Sequence, residues 1–143
     1  MRVIAATAVL VSAAVHLYLW LDFARDDAFL GPSFMLNAVA GAVISVLLLA
    51  WRHWVPAFLA LGFGASTLLA FVLATTVGLF GVTANWTGWA VWVAAAAEVV
   101  AIIAGARLLA ESFGRDVVWS WHRRLNRTGT ADVLPAKVLE HGR

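Results

Sequence analysis

The first 110 residues of the chain are almost free of charge. They contain 8 of the 18 Asp, Glu, Lys and Arg residues, and residues 111–143 contain the other 10. Hydrophobic residues make up 63% of the chain and charged residues 13%, whereas charged residues make up roughly 25% of a globular domain. A stretch this poor in charge cannot form the surface of a water-soluble protein. The sequence therefore predicts an all-α integral membrane protein.

Four apolar segments are long enough to cross a bilayer as helices, each of which needs about 20 residues. They cover about residues 3–21, 33–51, 55–80 and 88–109. An acidic loop at 22–27, a polar aromatic break at 51–54 and a glycine-bounded turn at 81–88 lie between them. The pattern predicts a four-transmembrane-helix bundle over residues 1–110.

The first span also has a feature of signal peptides, because Ser12-Ala13-Ala14 supplies the small residues of a cleavage site. The apolar run nevertheless continues past this site to Trp20. We therefore expect a retained transmembrane helix rather than a cleaved leader.

Beyond the fourth span, apolar residues recur every four positions among several arginines. The apolar residues are Phe113, Val117, Trp121 and Leu125, and the arginines include Arg123 and Arg124. This spacing predicts a basic amphipathic helix over residues 111–127 that lies on the anionic lipids of the inner leaflet. A plain helical extension of the fourth span is an equally compatible interpretation. We expect residues 128–143 to form a flexible tail.

The arginines predict the orientation of the chain in the membrane. The loop at 22–27 carries three aspartates and one arginine, whereas Arg52 lies in the second loop and five arginines lie between Arg107 and Arg127. The positive-inside rule then places both termini in the cytoplasm. Nine arginines against one lysine suggest a GC-rich genome, so we expect a bacterial plasma membrane. Since the basic residues mostly follow the last span, they indicate anionic lipid as a partner and not nucleic acid.

Tryptophans are typical of the two membrane interfaces. We expect Trp20, Trp86 and Trp89 at the outer interface, Trp51 and Trp54 at the inner one, and Trp121 on the amphipathic helix with Arg123 and Arg124.

Two ionisable residues, His16 and Glu98, fall within predicted spans, and such residues are functional candidates by default. At a helical rise of 1.5 Å, Glu98 lies about 15 Å deep and His16 about 8 Å deep. Asn37 and Thr75 reach a similar outer depth on the second and third spans. His16, Asn37 and Glu98 each share a helix face with small residues, and such faces meet in membrane bundles. We therefore predict one polar network of His16, Asn37 and Glu98 near the outer side, with Thr75 as a further candidate.

Three interpretations of this network remain open. The side chains can simply join the helices by hydrogen bonds, they can bind a ligand or handle protons, or Glu98 can face a partner protein. His16 and Glu98 are too few ligands for zinc, and bis-histidine haem would need His16 from two subunits. No cofactor or metal is therefore predicted.

Two function classes lead. Small-residue faces on several helices and the lack of a catalytic motif favour a non-enzymatic accessory or scaffold subunit that packs against itself or other membrane proteins. The alternative is a proton-coupled transporter, or a protein that binds a small molecule or lipid, with a polar core of His16, Asn37 and Glu98. A membrane enzyme acting on a lipid or quinone is a third class, but an enzyme is not expected.

Residues 16–20 (HLYLW), 36–41 (LNAVAG) and 77–81 (VGLFG), together with Glu98, resemble a group of small four-span membrane proteins from actinobacteria. The resemblance covers roughly residues 1–110. It implies four helices and an inner-membrane location. The group has no assigned activity, so the resemblance implies no catalytic residues.

Overall fold

Four helices account for nearly all of the chain that the structure describes. The structure is a computed structural model that describes residues 1–78, 83 and 87–129, with side chains up to residue 114. The helices are α1 (Arg2–Leu19), α2 (Leu30–Ala50), α3 (Trp54–Thr76) and α4 (Trp89–Gly129), and a π-helical segment (Trp20–Ala24) continues α1. Two compact units are distinguished, Met1–Ala110 and Glu111–Arg143.

Four helical stretches are long and apolar enough to cross a membrane. They are Arg2–Ala24, Leu30–Ala50, Trp54–Thr76 and Trp89–Gly114, and the mean hydropathy of their most apolar windows runs from 1.9 to 2.2. The shortest stretch has 21 residues, which at 1.5 Å per residue is about 31 Å, close to the thickness of the hydrocarbon core. The predicted all-helical architecture with four candidate spans is confirmed.

Large apolar side chains cover the outside of the bundle. Leu36 is 69% exposed, Val46 64% and Leu69 59%, and at most 44% of any candidate span is buried inside the protein. A water-soluble protein rarely exposes a continuous apolar surface of this extent. The surface matches the hydrocarbon of a bilayer, as expected of a multi-pass membrane protein.

The first connection differs from the predicted acidic loop. The helical path continues past the expected end at residue 21 through a π-helical turn, in which the Arg25 amide donates to the Trp20 carbonyl oxygen at 3.1 Å. The second helix begins at Leu30, three residues before the predicted start, because Asp27 caps it. Asp27 Oδ1 accepts from the Leu30 amide at 2.7 Å and from the Phe29 amide at 2.8 Å.

The third helix ends at Thr76, four residues before the predicted end. Gly78 follows with a φ of 78°, a left-handed conformation that terminates helices and favours glycine. Gly88, the residue before α4, also has a positive φ, 91°. The helical backbone of α4 runs to Gly129. The side chains of the predicted interfacial segment beyond residue 114, and residues 130–143 of the predicted tail, lie outside the described part.

Small residues bring α1 and α2 together. A Cβ added at Gly41 would lie 2.8 Å from the Ala13 Cβ and 3.3 Å from the Val9 carbonyl oxygen. Ser45 Oγ lies 3.0 Å from the Ala6 carbonyl oxygen across the same interface and 2.8 Å from the Gly41 carbonyl oxygen of its own helix. Close backbone approach of this kind is the usual way in which helices pack in membranes.

Glycines on both partners bring α3 and α4 together. A Cβ at Gly64 would lie 2.7 Å from the carbonyl oxygen of Glu98, and a Cβ at Gly105 would lie 2.9 Å from the amide nitrogen of Leu61. Both close contacts are with backbone atoms, which cannot move aside as a flexible side chain can. The two glycines therefore set the distance between α3 and α4 along the stretch that carries Glu98.

The apolar core lies in one half of the bundle, and seven of its twelve buried residues are alanines. These residues are Ala5, Ala6, Ala8, Val9, Ile44, Leu48, Ala57, Ala60, Phe63, Ala101, Ala104 and Leu108. At this end the Arg2 guanidinium donates to the carbonyl oxygens of Trp51 at 2.9 Å, His53 at 3.1 Å and Leu48 at 3.3 Å. A cation at the C-terminal end of α2 satisfies carbonyl groups that the helix leaves without partners.

Candidate functional site

Ser12 links the two ionisable residues of the spans. Its hydroxyl, on α1, donates to Glu98 Oε1 on α4 at 3.2 Å. His16 lies one turn after Ser12, and its Nδ1 is 2.8 Å from the Ser12 carbonyl oxygen and 3.4 Å from the Ser12 hydroxyl. Ser12, His16 and Glu98 are 0%, 7% and 2% exposed. The structure thus brings His16 and Glu98 to one buried cluster.

Within the described part of the chain, each of the two ionisable side chains has one polar atom without a hydrogen-bond partner. Because a carbonyl oxygen only accepts hydrogen bonds, His16 Nδ1 carries the proton, and in the neutral ring Nε2 is an acceptor. Among the described residues, neither His16 Nε2 nor Glu98 Oε2 has a hydrogen-bond partner, whereas every fully buried side-chain nitrogen and oxygen there has one. These two atoms therefore reach open space.

The space is a cavity of about 570 Å³ in the half of the bundle opposite the apolar core. It lies between the C-terminal part of α1, the start of α2, the end of α3 and the first turns of α4. Both His16 and Glu98 line it. Its walls are mainly apolar, and the ring of Phe34 packs edge-on to His16 with a centroid distance of 5.4 Å.

Of the other two predicted polar residues, Asn37 lies on the cavity wall and Thr75 does not. Asn37 lines the cavity and makes no side-chain hydrogen bond within the described residues, so its amide is available there. Thr75 does not line the cavity, and its hydroxyl donates to the Val72 carbonyl oxygen of its own helix at 2.9 Å. On α3 it is Thr67, and not Thr75, that lines the cavity.

Sequence reasoning missed two residues of the site. Ser12 was considered as part of a cleavage site and as a small residue on the face of His16, but not as a hydrogen-bond donor to Glu98. Thr67 was not singled out, although it follows Ala60 and Gly64 by seven and three residues and so continues their buried stripe. Both signals identify a helix face but not the neighbouring helix that the face contacts.

The predicted interface tryptophans lie at both ends of the bundle. Trp51 and Trp54 flank the turn between α2 and α3, with ring centroids 5.0 and 5.5 Å from that of His53. Trp89 begins α4 and contacts Tyr18 at 5.3 Å near the cavity, and Trp20 begins the π-helical segment. Trp86 and the side chains of Trp121, Arg123 and Arg124 lie outside the part of the chain that the structure describes.

The cavity can hold an apolar molecule with a polar group. Its apolar walls favour hydrocarbon, and the free atoms of His16, Glu98 and Asn37 can accept or donate hydrogen bonds inside it. Within the described residues no group of three or more His, Cys, Asp or Glu can hold a metal ion.

Comparison of the chain with protein-family models, with curated proteins and with solved structures finds no match. The resemblance to small four-span proteins of actinobacteria therefore stays a prediction. Inferences about function depend on the fold and the cavity of this chain.

Proposed function

We propose that this multi-pass membrane protein binds a small, largely apolar organic molecule in the cavity between its helices. In this proposal the cavity opens toward the outer face of a bacterial plasma membrane, as the charge pattern of the loops predicts. The observation that carries the proposal is a cavity of about 570 Å³ reached by a free polar atom of each of two buried ionisable residues.

The size and walls of the cavity support binding over a purely structural network. Pockets for drug-sized ligands measure about 300–1,000 Å³ and combine apolar walls with a few polar groups. Helices that are held together only by hydrogen bonds have no need of such a space, because protein interiors rarely keep voids larger than a water molecule. His16, Asn37 and Glu98 supply the few polar groups, and Ser12 holds Glu98 in position.

The small-residue faces give no support to a scaffold role. They motivated the hypothesis of an accessory subunit, yet Gly41, Gly64 and Gly105 are each covered by a neighbouring helix of the same chain. A face that is occupied within the chain is not free to bind a partner. The ligand-binding alternative therefore has the better support.

The proposal is tested with triphenylmethanol, a neutral aromatic alcohol, on the purified full chain in lipid nanodiscs. A ligand that binds only the folded state raises the unfolding temperature. Ala94 is half-buried and lines the cavity, so Ala94→Phe fills part of it. Ala96 is exposed on the same helix, so Ala96→Phe is the matched control.

We expect triphenylmethanol to raise the unfolding temperature of the wild-type protein and of Ala96→Phe, but not that of Ala94→Phe. Equal increases in all three proteins would show that the probe acts through the lipid and would overturn the proposal. If Ala94→Phe does not fold, Ala70→Phe on the α3 wall of the cavity replaces it.

A further inference from the structure

The charges around the cavity have one sign. Two carboxylates line it, Asp22 on the π-helical segment and Glu98 on α4, and no Lys or Arg occurs among its described lining residues. His16 is the one nitrogen base of that lining, and the hydrogen bond that its Nδ1 donates leaves Nε2 as an acceptor. Among the described residues, an anionic ligand would therefore meet two carboxylates and no guanidinium or ammonium group.

The walls of the cavity are rich in aromatic rings. Among the described residues, six aromatic side chains line it: Tyr18, Phe23, Phe29, Phe34, Phe71 and Trp89. The face of an aromatic ring carries negative electrostatic potential and attracts cations, most strongly where water is excluded. The rings also offer a large apolar contact area. Carboxylates and aromatic faces together match a ligand that is both apolar and positively charged.

We propose that the cavity binds a lipophilic cation, an organic ammonium or phosphonium whose apolar groups lie among the aromatic rings. Its charge lies against the carboxylate of Glu98, and Asp22 attracts it at the entrance. This inference rests on the proposed function, because it names the ligand class of the same cavity.

The two carboxylates have different positions and therefore different parts in binding. Asp22 is exposed, so it attracts the cation at the entrance with little cost of desolvation. Glu98 lies nine residues after the start of α4, about 14 Å along the helix, and is 2% exposed. A charge buried there alone is unfavourable, and a bound cation beside the free Oε2 compensates it.

The test compares three probes of similar shape and different charge. Tetraphenylphosphonium and tetraphenylborate are nearly equal in size and opposite in charge, and triphenylmethanol is neutral. Their binding to the full chain in nanodiscs is measured by equilibrium dialysis, with empty nanodiscs subtracted. We expect tetraphenylphosphonium to bind at least about tenfold more tightly than triphenylmethanol, as expected for one charged interaction. Tetraphenylborate should bind more weakly than either.

Substitutions of Glu98 and Asp22 test which carboxylate contributes to the binding of tetraphenylphosphonium. Glu98→Gln keeps an oxygen that accepts from Ser12 and should lower the affinity for tetraphenylphosphonium at least about tenfold. Asp22→Asn should lower it less, because water screens an exposed charge. Asp26→Asn is the matched control, since Asp26 lies in the same connection but does not line the cavity. If Glu98→Gln does not fold, Asp22→Asn still decides the outcome.

Failure of this inference is distinguishable from failure of the proposed function. Binding of triphenylmethanol that Ala94→Phe abolishes, with no preference for tetraphenylphosphonium over tetraphenylborate, overturns the cationic ligand and leaves a neutral one. The same conclusion follows if the preference survives both carboxylate variants unchanged. If Ala94→Phe alters the binding of none of the three probes, both the inference and the proposed function are overturned.

Discussion

At the scale of single residues, Ser12 connects two helices through one hydroxyl group. The side chain is fully buried, and its hydroxyl donates to the carboxyl group of Glu98 on another helix. Because Ser12 is 0% exposed, water does not readily replace its hydroxyl as the donor to Glu98 Oε1. Loss of this hydrogen bond should therefore lower the free energy of unfolding of the whole bundle.

We expect Ser12→Ala to lower the free energy of unfolding by about 1–2 kcal/mol, since it removes one interhelical hydrogen bond and leaves Glu98 without its donor. Thr7→Ala is the control, because Thr7 is exposed on the same helix. Unfolding in mixed micelles of sodium dodecyl sulfate measures both variants. Equal stability of Ser12→Ala and the wild-type protein would contradict the assigned contact.

Asp27 acts at the same scale outside the spans. The backbone amides of Leu30 and, to a smaller extent, Phe29 donate to its carboxylate and hold its pKa below the ordinary value of 3.8. A group whose pKa is lower in the folded state stabilises that state at pH values above its unfolded pKa. This stabilisation is lost as the pH falls from 3.8 through the lower folded pKa.

The effect of Asp27 should be visible in amide hydrogen exchange at the start of α2. We expect the protection of Leu30 and Phe29, corrected for intrinsic exchange rates, to decrease in the wild-type protein as the pH falls below 3.8. In Asp27→Asn that decrease should be absent, because the amide side chain does not titrate. Asp26→Asn should behave as the wild-type protein. A persistent pH dependence in Asp27→Asn would assign the effect to another group.

At the scale of elements, the distance between α3 and α4 depends on where each glycine lies on its helix. Gly64 faces the backbone of α4 at Glu98, whereas Gly62, two residues earlier, has no atom within 4 Å of an added Cβ. The two positions share one helix and a similar apolar sequence. They therefore provide a matched pair for measuring how much close helix contact contributes.

We expect Gly64→Ala to lower the free energy of unfolding by about 1–3 kcal/mol, because the methyl group overlaps backbone atoms and pushes α4 away. Gly62→Ala should leave stability unchanged or raise it by up to about 1 kcal/mol, because alanine is the better helix former. Thermal unfolding in nanodiscs compares the two. Similar losses for both variants would show that helix propensity and not packing controls the effect.

The π-helical segment shows which features of an element the sequence does not reveal. It has neither proline nor glycine within it, and Asp22 interrupts the apolar sequence there. Gly31 permits the close approach of α2, since a Cβ there would lie 3.0 Å from the carbonyl oxygens of both Ala24 and Arg25. The wider turn places Asp22 on the cavity wall. Such segments frequently occur at functional sites.

At the scale of the whole molecule, the two halves of the bundle differ in the side chains that lie between the helices. Alanines fill the end near Arg2, where small side chains let the helices approach. Aromatic side chains occupy the opposite end, where they line the cavity. Within the described residues, the helices therefore pack closely in one half of the bundle and surround a cavity in the other.

The orientation of the whole chain is testable by cysteine labelling, because the chain has no cysteine of its own. We expect Asp26→Cys in the first connection to react with a membrane-impermeant maleimide in intact cells. His53→Cys, between α2 and α3, should react only after the membrane is permeabilised. Both variants keep every arginine, so the charges that orient the chain are unchanged. The reverse pattern would place the cavity on the cytoplasmic side.

The fold could be predicted further than the candidate site. Hydropathy located four helices, although α3 ended earlier than expected because of the conformation of Gly78. His16, Asn37 and Glu98 all lie on the cavity wall, while Thr75 does not. Thr75 is one residue away from Ala74, which does line the cavity. An error of one residue rotates a helix position by about 100°, so depth alone could not place it.

The sequence by itself determined that the chain is helical and that four of its segments can cross a membrane. Hydropathy and length belong to each segment alone, so neither needs knowledge of a neighbour. The tertiary structure decided that Ser12 joins His16 to Glu98 and that aromatic side chains enclose a cavity beside them. These features depend on the rotation and spacing of helices far apart in sequence, which close contacts such as Gly64 with Glu98 establish.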